Sequence, residues 1–277
     1  MTSAVSSQWA RLLKNQGTWV GSFTQVSPAG DIQQDTPSEV ALTPLNEGNT
    51  MRQTIRKRPV DQPPSETTLE YSSLGRGVLF CETGAFSQGS IQRSPVSEFG
   101  AELGLIHGSE RLRVALVFPK QPRLGSLTLI REHLAATEPT PRPEPSVEQL
   151  LGTWVGEADT VFPDLQPPQK MATRLDIQQE GAETVSQTLS FGQSPAIQSQ
   201  GQGVGSTLRF DQGRQPVTVL LLPGGASASF PTDIQPGQPF FLEAGWLITP
   251  TLRQRLIRTY SGQGTWVSLT LVVERRV

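Results

Sequence analysis

The chain has 277 residues, of which 35% are hydrophobic and 17% charged, with a formal net charge of −2. That length suits one large domain or two of ordinary size, and the near-neutral charge excludes a global field drawing the protein to nucleic acid or an anionic membrane. The single cysteine, Cys81, excludes a disulfide within the chain. No apolar run approaches the ~20 residues of a spanning helix, and Met1 to Ser7 lack the features of a signal peptide, so a soluble cytoplasmic protein is expected.

The pattern opens with a short helix in which Trp9, Leu12 and Leu13 share a face and Gly17 ends the run. Strands are predicted over 18–27, 39–43, 49–58, 67–72, 77–82, 98–107, 110–118 and 124–134. Within 110–118, Leu112, Val114, Leu116 and Phe118 face one way and Arg111 and Arg113 the other. Residues 135–145 carry proline at every second position from Pro139 to Pro145. Such a stretch joins neither helix nor sheet and predicts a semi-rigid polyproline spacer. Ser146-Val147-Glu148-Gln149 then reads as a capping box, and Gly152 ends the second short helix. Further strands are predicted over 153–161, 170–178, 183–191, 206–210, 216–222, 239–249, 252–260 and 264–275. The runs Gly201-Gln202-Gly203-Val204-Gly205 and Gly224-Gly225 lack the Lys-Ser/Thr of a phosphate loop and read as hairpin turns.

An internal repeat organises these elements. Gly17-Thr18-Trp19-Val20-Gly21 is identical to Gly152-Thr153-Trp154-Val155-Gly156, 135 residues later. Toward the end of each half the offset is 142: Arg111-x-Arg113 matches Arg253-x-Arg255, Ser126–Leu129 matches Ser268–Leu271, and Glu132 matches Glu274. Held without a gap, this register also pairs Phe99 with Phe241 and Leu105-Ile106 with Leu247-Ile248. The second copy therefore carries about seven more residues in its middle. The predicted units are 1–134, a linker at 135–145, and 146–277.

About eight antiparallel strands per copy, plugged at one end by a helix, predict an all-β protein of two tandem up-and-down barrels, closure removing exposed edges. The duplicated Gly-x-Trp between helix and first strand resembles the calycin superfamily of lipocalins and fatty-acid-binding proteins. That resemblance implies a Trp at the closed end of each barrel, here Trp19 and Trp154, beneath an Arg from the last strand, here Arg131 and Arg275 or Arg276. The whole chain resembles a cyanobacterial and plant family of two-barrel calycin-like proteins of unknown function. Plant members of that family include a chloroplast biogenesis factor for ATP synthase. More distantly it is similar to T-type and S-type phycobiliprotein lyases.

Templates for catalysis are nearly empty. The two histidines, His107 and His133, read as a turn residue and a solvated residue, and no clustered Cys or His suggests a metal. Cys81, within Val78-Leu79-Phe80-Cys81, reads as a buried inert thiol. Arg258-x-Tyr260 is the sharper feature. In fatty-acid-binding relatives an Arg-x-Tyr near the chain end grips a ligand carboxylate, which implies a fatty acid or bilin inside the second barrel. The alternative is an Arg258 that points outward or pairs with Glu243 or Asp211. Arg111, Arg113, Arg253 and Arg255 read as a solvated outer face or as a strip docking an acidic partner. The run Arg52 to Arg58 invites the same two readings, and the aromatic interleaving of a nucleic-acid surface is missing. The favoured function is a non-catalytic assembly factor or scaffold for a photosynthetic or ATP-synthase complex, with the barrels held apart on a stiff spacer for bivalent docking. The alternative is a carrier or lyase-like binder of a small hydrophobic anion in the second barrel. No obligate cofactor is implied.

Overall fold

The β-rich pattern folds into two antiparallel sheets, one for each copy of the repeat. A computed structural model describes residues 7–144 and 146–277. The first copy comprises α1 (Gln8–Leu12), β1 (Gly17–Val26), β2 (Ile32–Leu45), β3 (Thr50–Lys57), β4 (Ser65–Tyr71), β5 (Val78–Phe80), β6 (Phe86–Gly89), β7 (Phe99–His107), β8 (Glu110–Phe118) and β9 (Ser126–Leu134). The second comprises α2 (Val147–Leu150), β10 (Gly152–Val161), β11 (Gln169–Gln179), β12 (Thr184–Phe191), β13 (Ile197–Val204), β14 (Thr207–Phe210), β15 (Val217–Leu222), β16 (Ala226–Pro231), β17 (Phe240–Thr249), β18 (Leu252–Tyr260) and β19 (Trp266–Arg276). Serine caps start both helices: Ser7 accepts from the Ala10 amide and Ser146 from the Gln149 amide.

The second sheet is a closed ten-stranded barrel, β10 through β19 in order. The first is a strongly curled half-barrel of nine strands, β4-β3-β2-β1-β9-β8-β7-β6-β5, open between β4 and β5. The all-β architecture of two antiparallel barrel-like units is as the sequence predicts; the strand counts are nine and ten rather than about eight, and only the second unit closes fully. Three strands escaped the pattern because their residues are small or few. They are the four-residue β6, the Ala/Ser-rich β16, and β13, which contains Gly201 and Gly203. Those two glycines lie in a strand, not a turn, because β14 crosses them. A Cβ on Gly201 would sit 2.9 Å from the Phe210 ring, and one on Gly203 3.0 Å from Leu208.

The repeat register also needs correction. Arg113 lies opposite Gly104 and Arg255 opposite Gly245, so the arginines are 142 apart and the glycines 141. An irregularity between Leu247 and Thr249 absorbs the extra residue. Phe99 therefore corresponds to Phe240, not Phe241, and Glu102 to Glu243.

The largest core lies between the sheets rather than inside either one. Leu112, Val114, Leu116 and Phe118 of β8 share a buried cluster with Leu242, Ala244 and Trp246 of β17 and Leu256 of β18. Phe99 packs against Phe240 at 5.7 Å and Tyr260 at 5.0 Å. The spacer does not hold the units apart. The Thr140 amide and the Arg142 guanidinium bond Glu110, and Arg142 reaches the Ile248 carbonyl and lies over Trp246. One arginine thus straps the linker to both units.

Candidate functional site

Each copy of Gly-Thr-Trp-Val-Gly builds the same corner. Gly17 and Gly152 adopt φ of +128° and +108°, which lets the chain turn from helix to strand. The indole N–H of Trp19 donates to the Asn15 carbonyl at 2.9 Å, and that of Trp154 to Leu150 at 2.8 Å. Each thereby caps an orphan carbonyl at the end of the preceding helical turn. Gly21 and Gly156 admit the last strand: a Cβ would fall 1.8 Å from the Arg131 carbonyl or 2.1 Å from that of Val273.

That close approach brings a glutamate from the last strand into the barrel interior. Arg111 and Arg113 both bond Glu132, at 2.8–3.0 Å, and Arg113 also bonds Glu102 at 2.8 Å. In the twin, Arg253 bonds Glu274 at 2.6 Å, while Arg255 bonds Glu243 at 3.1 and 2.8 Å. Burial alone would raise the Glu132 carboxyl, but Arg113 and Arg111 outweigh it and hold it below the usual range. Burial pulls Arg111 and Arg253 down, offset in part by Glu132 and Glu274. For Arg113 and Arg255, desolvation is overcome by two carboxylates each, and the net shift is upward.

These arginines are therefore neither a solvated face nor a docking strip. Arg111, Arg113 and Arg253 are buried, because the apolar alternate residues of β8 and β18 are claimed by the inter-unit core. The guanidiniums stacked on the signature tryptophans are Arg111 over Trp19 at 4.5 Å and Arg253 over Trp154 at 4.7 Å, joined by Arg276 at 4.8 Å. Of the expected last-strand residues, Arg276 takes the role. Arg131 turns to the other face of β9 and reaches the Thr24 hydroxyl at 3.4 Å, and Arg275 is exposed.

Arg258 and Tyr260 also lie outside the barrel cavity. Strand alternation puts Arg253 and Arg255 inside, so Arg258 and Tyr260 point into the other unit. Arg258 donates to the Ser87 hydroxyl at 3.1 Å and the Ser90 carbonyl at 3.0 Å, and lies 3.4 Å over the Trp266 ring. The Tyr260 hydroxyl donates to the same Ser90 carbonyl at 2.9 Å. The pair staples the two units together, and the carboxylate grip inside the barrel is corrected accordingly.

What remains inside each unit is a cavity above its ion cluster. The first, about 380 Å³, is lined by Leu42, Ile55, Leu69 and Phe86 with Arg111 and Arg113 at its base. The second, about 450 Å³, is lined by Leu175, Ile177, Val219 and Phe241 with Arg253 and Arg255. Both fall within the size range of small-molecule sites. Glu274 Oε2 is buried without a hydrogen-bond partner. Among the described residues no group of three or more His, Cys, Asp or Glu is placed to hold a metal. Cys81 is fully buried, which pushes its thiol up to about 12. His107 ends β7 beside the Gly108 turn, its pKa lowered by burial and by Arg142. His133 is half-buried in β9. The basic run of β3 is neutralised in a cross-strand ladder, Arg56 by Glu39 and Glu66 and Arg52 by Glu70.

The glutamates are what sequence reasoning left unused. Glu132 and Glu274 each lie 21 residues after an arginine of the repeated Arg-x-Arg, and that shared spacing was the available signal.

Comparison with known proteins agrees with this geometry. A crystal structure from Nostoc punctiforme, described as a protein of unknown function from the DUF3598 family, superposes with a TM-score of 0.93 at 46% identity, over 99% of this chain and 100% of that one. The chain belongs to the DUF3598 family. Residues 5–137 match the DUF3598 N-terminal domain, and residues 141–277 match the C-terminal domain of "biogenesis factor required for ATP synthase 1". An S-type phycobiliprotein lyase from Guillardia theta aligns at 15% identity and a TM-score of 0.38, over 47% of this DUF3598 chain and 90% of the lyase. No curated protein matches. Among the described residues of this DUF3598 protein, no helix is long and apolar enough to cross a membrane.

Proposed function

We propose that this DUF3598 protein is a non-catalytic binding protein that acts as an assembly factor for an ATP-synthase or related photosynthetic complex. The observation that carries this reading is the match of residues 141–277 to the C-terminal domain of an ATP-synthase biogenesis factor. The chemistry of the interior supports it. Its charged groups are balanced arginine–glutamate clusters, and neither contains a nucleophile paired with a general base. The inter-unit core supports it as well, since it makes one body whose outer surfaces are left for a partner. Affinity purification from the native host followed by mass spectrometry tests the proposal. Stoichiometric co-elution of an ATP-synthase or photosynthetic subunit is expected, and its absence overturns the reading.

A second reading has the second cavity in its favour. A small amphipathic molecule such as a bilin or fatty acid fits about 450 Å³. Its carboxylate would compete with Glu243 and Glu274 for guanidiniums they already hold, which ranks this reading second. Pigment and lipid extraction from the same purified protein decides it.

A further inference from the structure

The chain has two histidines, and the fold sets both beside one carboxylate. His107 of β7 lies opposite Glu110 of β8, and Glu110 lies opposite His133 of β9. Residues directly opposite in antiparallel strands share a face, their Cβ atoms about 5 Å apart. That face is the outward one, because the adjacent Arg111 and Glu132 turn inward. His107, Glu110 and His133 therefore form a short polar row at the rim of the first unit. In the twin, the same positions are Thr249, Leu252 and Arg275. The row thus belongs to the first copy and not to the repeat.

Glu110 is also the anchor of the linker strap. It is buried and accepts from the Thr140 amide and from Arg142 Nε, the latter at 2.8 Å. Arg142 reaches on to the Ile248 carbonyl at 2.9 Å and lies 5.0 Å over the Trp246 ring of the second unit. Arg131 of β9 and Glu144 of the linker also line this groove, above the bonded pair Arg111 and Glu132. His133 Nδ1 lies 3.1 Å from the Leu134 carbonyl of its own strand, so that ring nitrogen is engaged away from the strap.

The charges of the strap balance only while the imidazole beside them is neutral. Burial and the nearby Arg142 hold His107 below its ordinary value, opposed in part by Glu110. The stabilisation from keeping His107 neutral is therefore fully present above the ordinary imidazole value, about 6.5, and is lost as pH falls through the lower folded value. Burial alone would raise Glu110, but Thr140 and Arg142 outweigh it and hold the carboxyl below its usual range. The anchor thus keeps its charge in the range where an imidazole gains one.

We propose that the linker strap is an acid-sensitive latch, with His107 as its trigger. A proton taken up by His107 puts an imidazolium beside Glu110 and Arg142, where it competes for the carboxylate and repels the guanidinium. Residues 139–144 then leave the groove while the inter-unit core stays packed, and the freed segment becomes the exposed spacer that its proline content predicts.

NMR of the 15N-labelled full chain tests this. Protection of the Thr140 amide, measured as exchange relative to an unstructured amide at the same pH, is expected to fall several-fold between about pH 7.5 and about pH 5. The amides of Leu112 to Leu116, in the inter-unit core, should keep theirs. His107→Gln keeps a polar side chain but takes up no proton, and should hold the Thr140 protection across that range. His133→Gln should leave the wild-type loss in place. Four results each overturn the proposal: Thr140 protection that does not change with pH, a loss that persists in His107→Gln, a loss abolished by His133→Gln, or a parallel loss at 112–116.

Discussion

The two units share a corner and differ in closure. In both, a glycine turn, a capped tryptophan and a second glycine bring a glutamate onto paired arginines. Beyond that corner, the second unit completes its own barrel with β14, and the first leaves β4 unpaired and covers β5 with α1. Their clusters diverge in step. Glu132 bonds both arginines and shares Arg113 with Glu102, whereas Glu274 bonds Arg253 and Glu243 takes Arg255. Duplication thus preserved the buried electrostatic anchor and left the rim free to vary.

The sharpest way to break the comparison is to remove each anchor. Glu132→Ala takes the carboxylate from the buried Arg111 and leaves Arg113 to Glu102 alone, and should cost about 3–5 kcal/mol in urea unfolding. Glu274→Ala takes the carboxylate from Arg253 but removes no bond of Arg255 and should cost less, and equal losses would show that the clusters are equivalent after all. The interface comes next. Arg258→Leu installs the residue that the first copy carries as Leu116. It takes the guanidinium from the buried Ser87 hydroxyl and leaves the Ser90 carbonyl to Tyr260 alone, and should lower stability by about 1–3 kcal/mol by calorimetry.

Acid sharpens the anchor comparison. The folded-state pKa of Glu132 lies below its unfolded value. Its stabilisation is therefore fully present above the ordinary carboxylate value, about 4.3, and is lost as pH falls through the lower folded value. Tryptophan fluorescence followed from pH 6 to pH 2 should show acid unfolding that Glu132→Gln flattens. The smallest effect is at Cys81. With its thiol pushed up to about 12, a thiol reagent at pH 8 should modify it only in denaturant. Reaction in the native state would show that the inter-unit core opens.

Much of the scaffold was legible in the sequence. The strand alternation of β8, the helix before each Gly-x-Trp and the duplication itself all follow from residue periodicity and identity. The faces were not legible. Leu112, Val114, Leu116 and Phe118 look like a barrel lining, and Arg111 and Arg113 like its solvated outside, because an apolar row ordinarily marks the interior of a single unit. Here the partner unit supplies a larger apolar surface than the cavity does, and the row turns outward to meet it. Arg258 and Tyr260 were misplaced for the same reason, as members of the outward row of β18. Gly201 and Gly203 looked like a turn because a strand glycine has meaning only once the side chains that cover it, Phe210 and Leu208, are known.

By itself, then, the sequence determined local structure and repetition. Helix caps, glycine turns, strand period and the recurrence of tryptophan, arginine and glutamate depend on neighbours a few residues away or on copies of the same string. Only the tertiary structure decided which side of each strand is inside, which carboxylate meets which guanidinium, and that one barrel closes while the other stays open. Those outcomes depend on competition between distant surfaces for burial, and period-two alternation is the same whichever surface wins.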